Sequence, residues 1–201
     1  MKKAKLTLTI TIILPFVLFL LSCNPIENES QSSSLLIVES LTGTDIEGNE
    51  VNLLQSDVLK VDSSTGNTYI TADIAKAILS AKLLQPDSPV GPSHYNNIMV
   101  TRYFVSYSRS DGKNKEGVDV PYSFEGSLST LVEIDSSTNV SFVIVREVAK
   151  AEPPLVNLTE GRGEGVLQVT AKVEFYGHDM TNHNVKATGY LTIFFGNYID
   201  E

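Results

Sequence analysis

Oxygen-bearing side chains crowd one short stretch of this chain, at Asp111, Asn114, Glu116 and Asp119. Carboxylate and amide oxygens brought together by a loop are what Ca2+ binds, because this hard cation takes about six to eight oxygen ligands. Counted from Asp111, the four fall at positions 1, 4, 6 and 9, whereas an EF-hand loop places ligands at 1, 3 and 5. Lys113 and Lys115 stand among them and compete for the same carboxylates. Asp and Asn also cap turns in solvated loops, and that reading is favoured over the metal.

A second group is His178, Asp179 and His183. Two histidines this close in one turn suit Zn2+, which takes His nitrogen among three or four protein ligands. No third strong ligand lies nearby in sequence, so exposed turn histidines are the favoured reading. The only other histidine is His94. G-x-S-x-G, H-E-x-x-H, P-loop and C-x-x-C patterns are all absent. The chain is therefore expected not to be an enzyme and to carry no cofactor.

The sole cysteine, Cys23, follows a segment with a different chemistry. Lys2, Lys3 and Lys5 make a positive start, and Leu6 to Leu21 is uncharged and apolar, relieved by Thr7, Thr9, Thr11 and Pro15. Sixteen residues are short of the roughly 20 that a spanning helix needs, but suit the apolar region of a secretory signal. The ending Leu20-Leu21-Ser22-Cys23 resembles the lipobox of bacterial lipoproteins. That resemblance implies cleavage between Ser22 and Cys23 and diacylation of the Cys23 thiol. It implies residence in the cell envelope, on the outer side of the cytoplasmic membrane or at the outer membrane. With Cys23 consumed, no disulfide within the chain is available.

The formal charge of the 201 residues is −9. Removing three lysines with the signal leaves 12 of the 15 basic residues against 24 acidic ones, a charge of −12. Such a field repels phosphate backbones, so nucleic acid is not expected as a partner. Membrane attachment is expected through lipid on Cys23, with an envelope protein or polymer as the candidate partner.

These residues need a scaffold to hold them. Asn24 to Ser34 is polar and Ser-rich, and reads as a flexible tether after Cys23. From Leu35 onward the hydrophobic period is two, the pattern of half-buried strands. Over 97–109, Thr101, Tyr103, Val105 and Tyr107 share one face. Over 139–148, Phe142 and Ile144 oppose Val143 and Val145, as in a central strand covered on both faces. Over 165–176, Leu167, Val169, Ala171, Val173 and Phe175 form one face; over 185–195, Val185, Ala187, Leu191, Ile193 and Phe195 do so. Further strands are expected at 35–41, 57–61 and 127–134. The stretch 72–84 carries both strand alternation and a helical stripe; strand is preferred because its neighbours are β and Pro86 ends it. Turns are expected at 62–66, 111–112, 135–139, 161–165 and 177–184. Short strands with regular turn signals predict an antiparallel β-sandwich. The expected division is a signal over 1–22, lipidated Cys23 and tether over 23–34, and a sandwich over 35–201. Residues 35–95 are either extra strands of that sandwich or an accessory unit.

Two stretches carry a further resemblance. Arg102-Tyr103 through Arg109-Ser110-Asp111-Gly112-Lys113-Asn114, followed by Gly117-Val118-Asp119-Val120-Pro121-Tyr122-Ser123-Phe124-Glu125-Gly126, resembles a motif of uncharacterised bacterial lipoproteins. Phe175-Tyr176-Gly177-His178-Asp179 before a last strand resembles the final hairpin of bacterial immunoglobulin-like domains, with a turn over Asp179 to Asn184 that lacks their usual glycine. Together these cover about 100 residues. They imply an immunoglobulin-like sandwich with extra N-terminal strands, acting as a binding or structural module. The alternative function is a Ca2+- or small-ligand-binding sandwich that uses the 111–119 loop.

Overall fold

A computed structural model describes residues 32–87, 89, 91–159 and 165–198. The expected signal peptide, Cys23, the tether up to residue 31 and most of the 161–165 turn lie outside the described residues.

Eleven strands are described: β1 (Ser34–Thr44), β2 (Glu50–Val51), β3 (Leu53–Asp57), β4 (Lys60–Val61), β5 (Thr68–Tyr69), β6 (Asp73–Leu83), β7 (Ile98–Ser108), β8 (Phe124–Val132), β9 (Ser137–Val145), β10 (Val166–Asp179) and β11 (Asn184–Gly196). Two single-turn helices, α1 (Glu147–Lys150) and α2 (Val156–Thr159), interrupt the run between β9 and β10. One sheet has the order β2-β1-β6-β9, the other β3-β11-β10-β7-β8, and β4-β5 form a small ribbon. The protein is an all-β sandwich. Its pairings are antiparallel except β3 with β11, which is parallel.

Strands from residues 35–95 stand in both sheets, β6 pairing with β9 in one and β3 with β11 in the other. Segment 73–83 is a strand because both its faces work in the sheet: Ala75, Ala77, Leu79 and Ala81 are buried while Lys76 and Lys82 reach solvent. The folded domain also starts ahead of Leu35. Ser34 opens β1, and Ser32 and Ser34 are buried.

Strand β10 is the middle strand of its sheet, and β11 pairs with it through thirteen residues, Val166↔Gly196 to His178↔Asn184. Their expected inward faces are the buried ones, with Gly189 completing the β11 row. In β7 the expectation needs one correction. Ile98 and Val100 point inward, then Tyr103, Val105 and Tyr107, while Thr101 is exposed. Tyr176 of β10 pairs with Arg102 and the next residue, Gly177, with Val100, so Thr101 is the extra residue of a bulge that inverts the alternation. In β9 the placement differs too: it is an edge strand, not a central one. Val140, Phe142 and Ile144 fill the core, and Val143 is only half-buried. The strand expected at 57–61 is not one strand: it takes in only the last residue of β3 (Leu53–Asp57), which lies four residues earlier, and the two-residue β4 at Lys60–Val61. The last turn is shorter than 177–184, because β10 continues to Asp179.

Aromatic contacts join the two sheets. Phe142 of β9 meets Phe175 of β10 edge-on at 5.3 Å and Tyr103 of β7 at 5.0 Å. Tyr103 lies over Gly126 of β8, where a Cβ would come within 2.3 Å of its ring, so any larger residue at 126 would displace it. Tyr107 donates its hydroxyl to the Ile144 carbonyl across the sheets at 2.5 Å, and burial pushes its phenol far up.

Candidate functional site

Strands β1 and β3 end, and β6 begins, at the same pole of the sandwich, where β11 delivers the C-terminal segment. Between them lies a cavity of about 650 Å3 lined by Asp45, Glu47, Asp57, Asp73, Lys60 and Tyr198 among others. Its floor is a buried polar network. Lys150, at the end of α1, has no exposed surface. Its Nζ donates to the Asp57 carbonyl at 2.8 Å and to Asp73 Oδ1 at 2.9 Å. Ser56 donates its hydroxyl to Asp73 Oδ2 at 2.6 Å, and the Tyr198 N–H donates to Asp57 Oδ1 at 3.2 Å. At the rim, the Asn49 N–H and Nδ2 donate to Asp45 at 2.8 and 3.0 Å. These bonds hold the Asp45 carboxyl below its ordinary range. The result is a polar recess with fixed oxygen acceptors, suited to a partner's amine, guanidinium or hydroxyl groups.

The loop between β7 and β8 reaches the same pole, and here each expected ligand has its own local partner. Asp111 receives Arg109 Nε and Nη2 at 3.1 and 2.7 Å, and the guanidinium holds its carboxyl down. Asn114 accepts the Arg109 N–H at 2.6 Å, Glu116 the Ser123 N–H at 3.2 Å, and Asp119 the Lys115 N–H at 3.1 Å. The four close the loop on itself. Gly117 adopts a positive φ of 71°, and a Cβ there would meet the Tyr122 hydroxyl at 2.3 Å. Among the described residues, no group of three or more His, Cys, Asp or Glu is placed to hold a metal ion.

His178, Asp179 and His183 lie at the opposite pole, and Asp179 is their centre. It is 1 % exposed. Its Oδ1 accepts the Thr181 N–H, the Thr181 hydroxyl and the His183 N–H at 2.9, 2.7 and 2.9 Å. Its Oδ2 accepts the Ser32 hydroxyl at 2.6 Å and faces His183 Nδ1 at 3.3 Å. One carboxylate thus shapes the β10–β11 turn and latches the start of the domain to it. Burial pushes this carboxyl up, but the bonds from Ser32, His183 and Thr181 outweigh it and hold it well below the ordinary range. A depressed folded pKa contributes stability above the unfolded value, near 3.9, that is lost as pH falls further. Asp179→Asn is expected to cost about 1–3 kcal/mol at neutral pH and to flatten the acid limb of a melting-temperature profile. An unchanged acid limb would remove Asp179 from that role.

On the outer face of the β10 sheet, Glu174 receives Lys172 at 2.9 Å and also Lys186, which together hold its carboxyl down at about 2. The Arg102 guanidinium stacks 4.1 Å from the Tyr176 ring centre and pairs with Glu125 at 3.0 Å.

Sequence reasoning missed Lys150, Asp73, Ser56 and Asp57. Lysine is almost never fully buried unless paired, and its carboxylate partner stands 77 positions away in the chain, so no local pattern flags it. No protein-family model matches the chain, and no curated protein matches it.

Proposed function

We propose that the protein is a lipid-anchored lipoprotein of the bacterial cell envelope whose sandwich serves as a binding or structural module. The carrying observation is the position of the sole cysteine, directly after an apolar segment and the residues Leu20-Leu21-Ser22. A diacylated Cys23 attaches firmly because each buried CH2 contributes about 0.8 kcal/mol. The folded domain follows within nine residues, at Ser32. The recess between Asp45, Glu47, Asp57 and Asp73 supports a binding role, since its acceptors are held in place before any partner arrives. The partner in this reading is an envelope protein or polymer that offers amine, guanidinium or hydroxyl donors.

The experiment is detergent phase partitioning of the wild type and Cys23→Ser. The mutant is expected in the aqueous phase, or retained as an uncleaved precursor, while the wild type enters the detergent phase. A Cys23→Ser protein that is processed and still partitions like wild type would sink the reading.

A further inference from the structure

Resting on the lipid-anchor reading, we propose that the pole where the folded domain begins is a bilayer-contact surface, seated in the interface of a phosphatidylcholine-type membrane. Three observations converge there. The first is position. Ser32 is fixed to the β10–β11 turn through Asp179, and the Leu84 N–H donates to the Ser33 carbonyl at 2.8 Å, so the chain enters at this pole. The second is composition. Leu35, Leu84, Tyr95 and Met180 are 44, 49, 56 and 37 % exposed. Leu35 and Leu84 line a shallow groove with Lys186, the Met180 N–H donates to the Tyr95 carbonyl at 3.2 Å, and the Ser34 hydroxyl donates to the Asn96 carbonyl at 2.7 Å, so the four stand at the same pole. Lys82 pairs opposite Leu35 in the sheet, and Arg102 and Lys186 line the adjoining groove. Exposed apolar and aromatic tips with long cationic side chains nearby suit the boundary between acyl chains and phosphates; these cations also pair with carboxylates, Lys82 with Asp135, Arg102 with Glu125 and Lys186 with Glu174. Glu133 and Asp135 share this pole, so attraction to anionic lipid is not what seats it.

The third observation is reach. The eight residues between Cys23 and Ser32 make nine steps along the chain and span at most about 30 Å. Strand β10 runs the length of the sandwich in 14 residues, about 45 Å. An inverted domain, standing on the recess pole, would hold Ser32 farther from the bilayer than the connection extends. The recess pole is therefore not the pole that rests on the membrane.

The chain has no tryptophan, so each introduced one is a single reporter. Full-length lipidated Leu84→Trp, Tyr95→Trp, Ile46→Trp, Tyr122→Trp and Tyr190→Trp proteins are bound to phosphatidylcholine vesicles with and without acyl-brominated lipid. All five replace exposed side chains. Flotation with the vesicles is read first, then fluorescence. Trp at 84 and 95 is expected to lose emission to the brominated lipid and shift to the blue. Trp at 46 and 122, on the recess pole, and at 190, on the outer sheet face, is expected to do neither. Proteins that float but show no quenching at 84 and 95, or equal quenching at 190, overturn the contact surface and leave the anchor standing. Proteins that do not float overturn the anchor reading and this proposal with it.

Discussion

Val173→Asp is expected to abolish the cooperative melting transition at neutral pH. Val173 has no exposed surface and lies in the middle strand of the five-stranded sheet, opposite Val105 on one side and Gly189 on the other. A carboxylate there has backbone neighbours already bonded in the ladder and no cation within its row. Burying an unpaired charge costs several kcal/mol even when the group neutralises itself by taking up a proton, against a total stability of about 5–15 kcal/mol. Val173→Ala separates charge from lost volume and is expected to melt cooperatively at a reduced temperature. Gln168→Asp, exposed on the same strand, places the identical side chain in water and is expected within about 0.5 kcal/mol of wild type. Circular dichroism melts of the three proteins decide the matter. A Val173→Asp protein that melts within a degree or two of wild type would mean that the face assigned to the core is wrong.

That face was legible because β10 and β11 are antiparallel strands with one side in the core and the other in solvent, the arrangement that prints a clean alternation. Thr101 was placed inward because a bulge is invisible to a period-two count: one extra residue moves every earlier side chain to the other face. The expectation at 57–61 meets β3 only at Asp57 because β3 is a short parallel addition to β11 with a polar end, Gln55-Ser56-Asp57, which alternation does not mark. Segment 73–83 carried two periods at once, and the choice between them came from its neighbours rather than from itself. Tertiary pairing with β1 and β9 settles it as a strand.

The chemistry was less legible than the fold. Asp111, Asn114, Glu116 and Asp119 stood out by density, yet density within a loop is what turn capping also produces. Asp179 stood out beside two histidines, and its main partners include backbone N–H groups and Ser32, 147 positions away. A side chain's hydrogen-bond partners in a sandwich come from whichever loops share its pole. Those neighbours follow from topology, not from spacing.

Lys150 is the sharpest case, and it makes the other large prediction. Lys150→Met keeps most of the side chain's volume and removes the ammonium that Asp73 Oδ1 and the Asp57 carbonyl both accept from. Asp73, whose side chain is 11 % exposed, then keeps only the Ser56 hydroxyl of these donors. Removing one partner of a buried pair typically costs about 3–5 kcal/mol. At about 2–4 °C per kcal/mol for a domain of this size, the melting temperature should fall by roughly 6–20 °C. The sign of a second substitution identifies the cause. Asp73→Asn alone strands the Lys150 charge and is expected to destabilise. In the Lys150→Met background the same change removes a stranded carboxylate while keeping an acceptor for Ser56, and is expected to stabilise. Such a reversal is the signature of a desolvated charge pair, and mere packing does not produce it. If Asp73→Asn shifts the melting temperature in the same direction in both backgrounds, the network is not held by the pairing of its charges, and the floor of the recess is not fixed by Lys150.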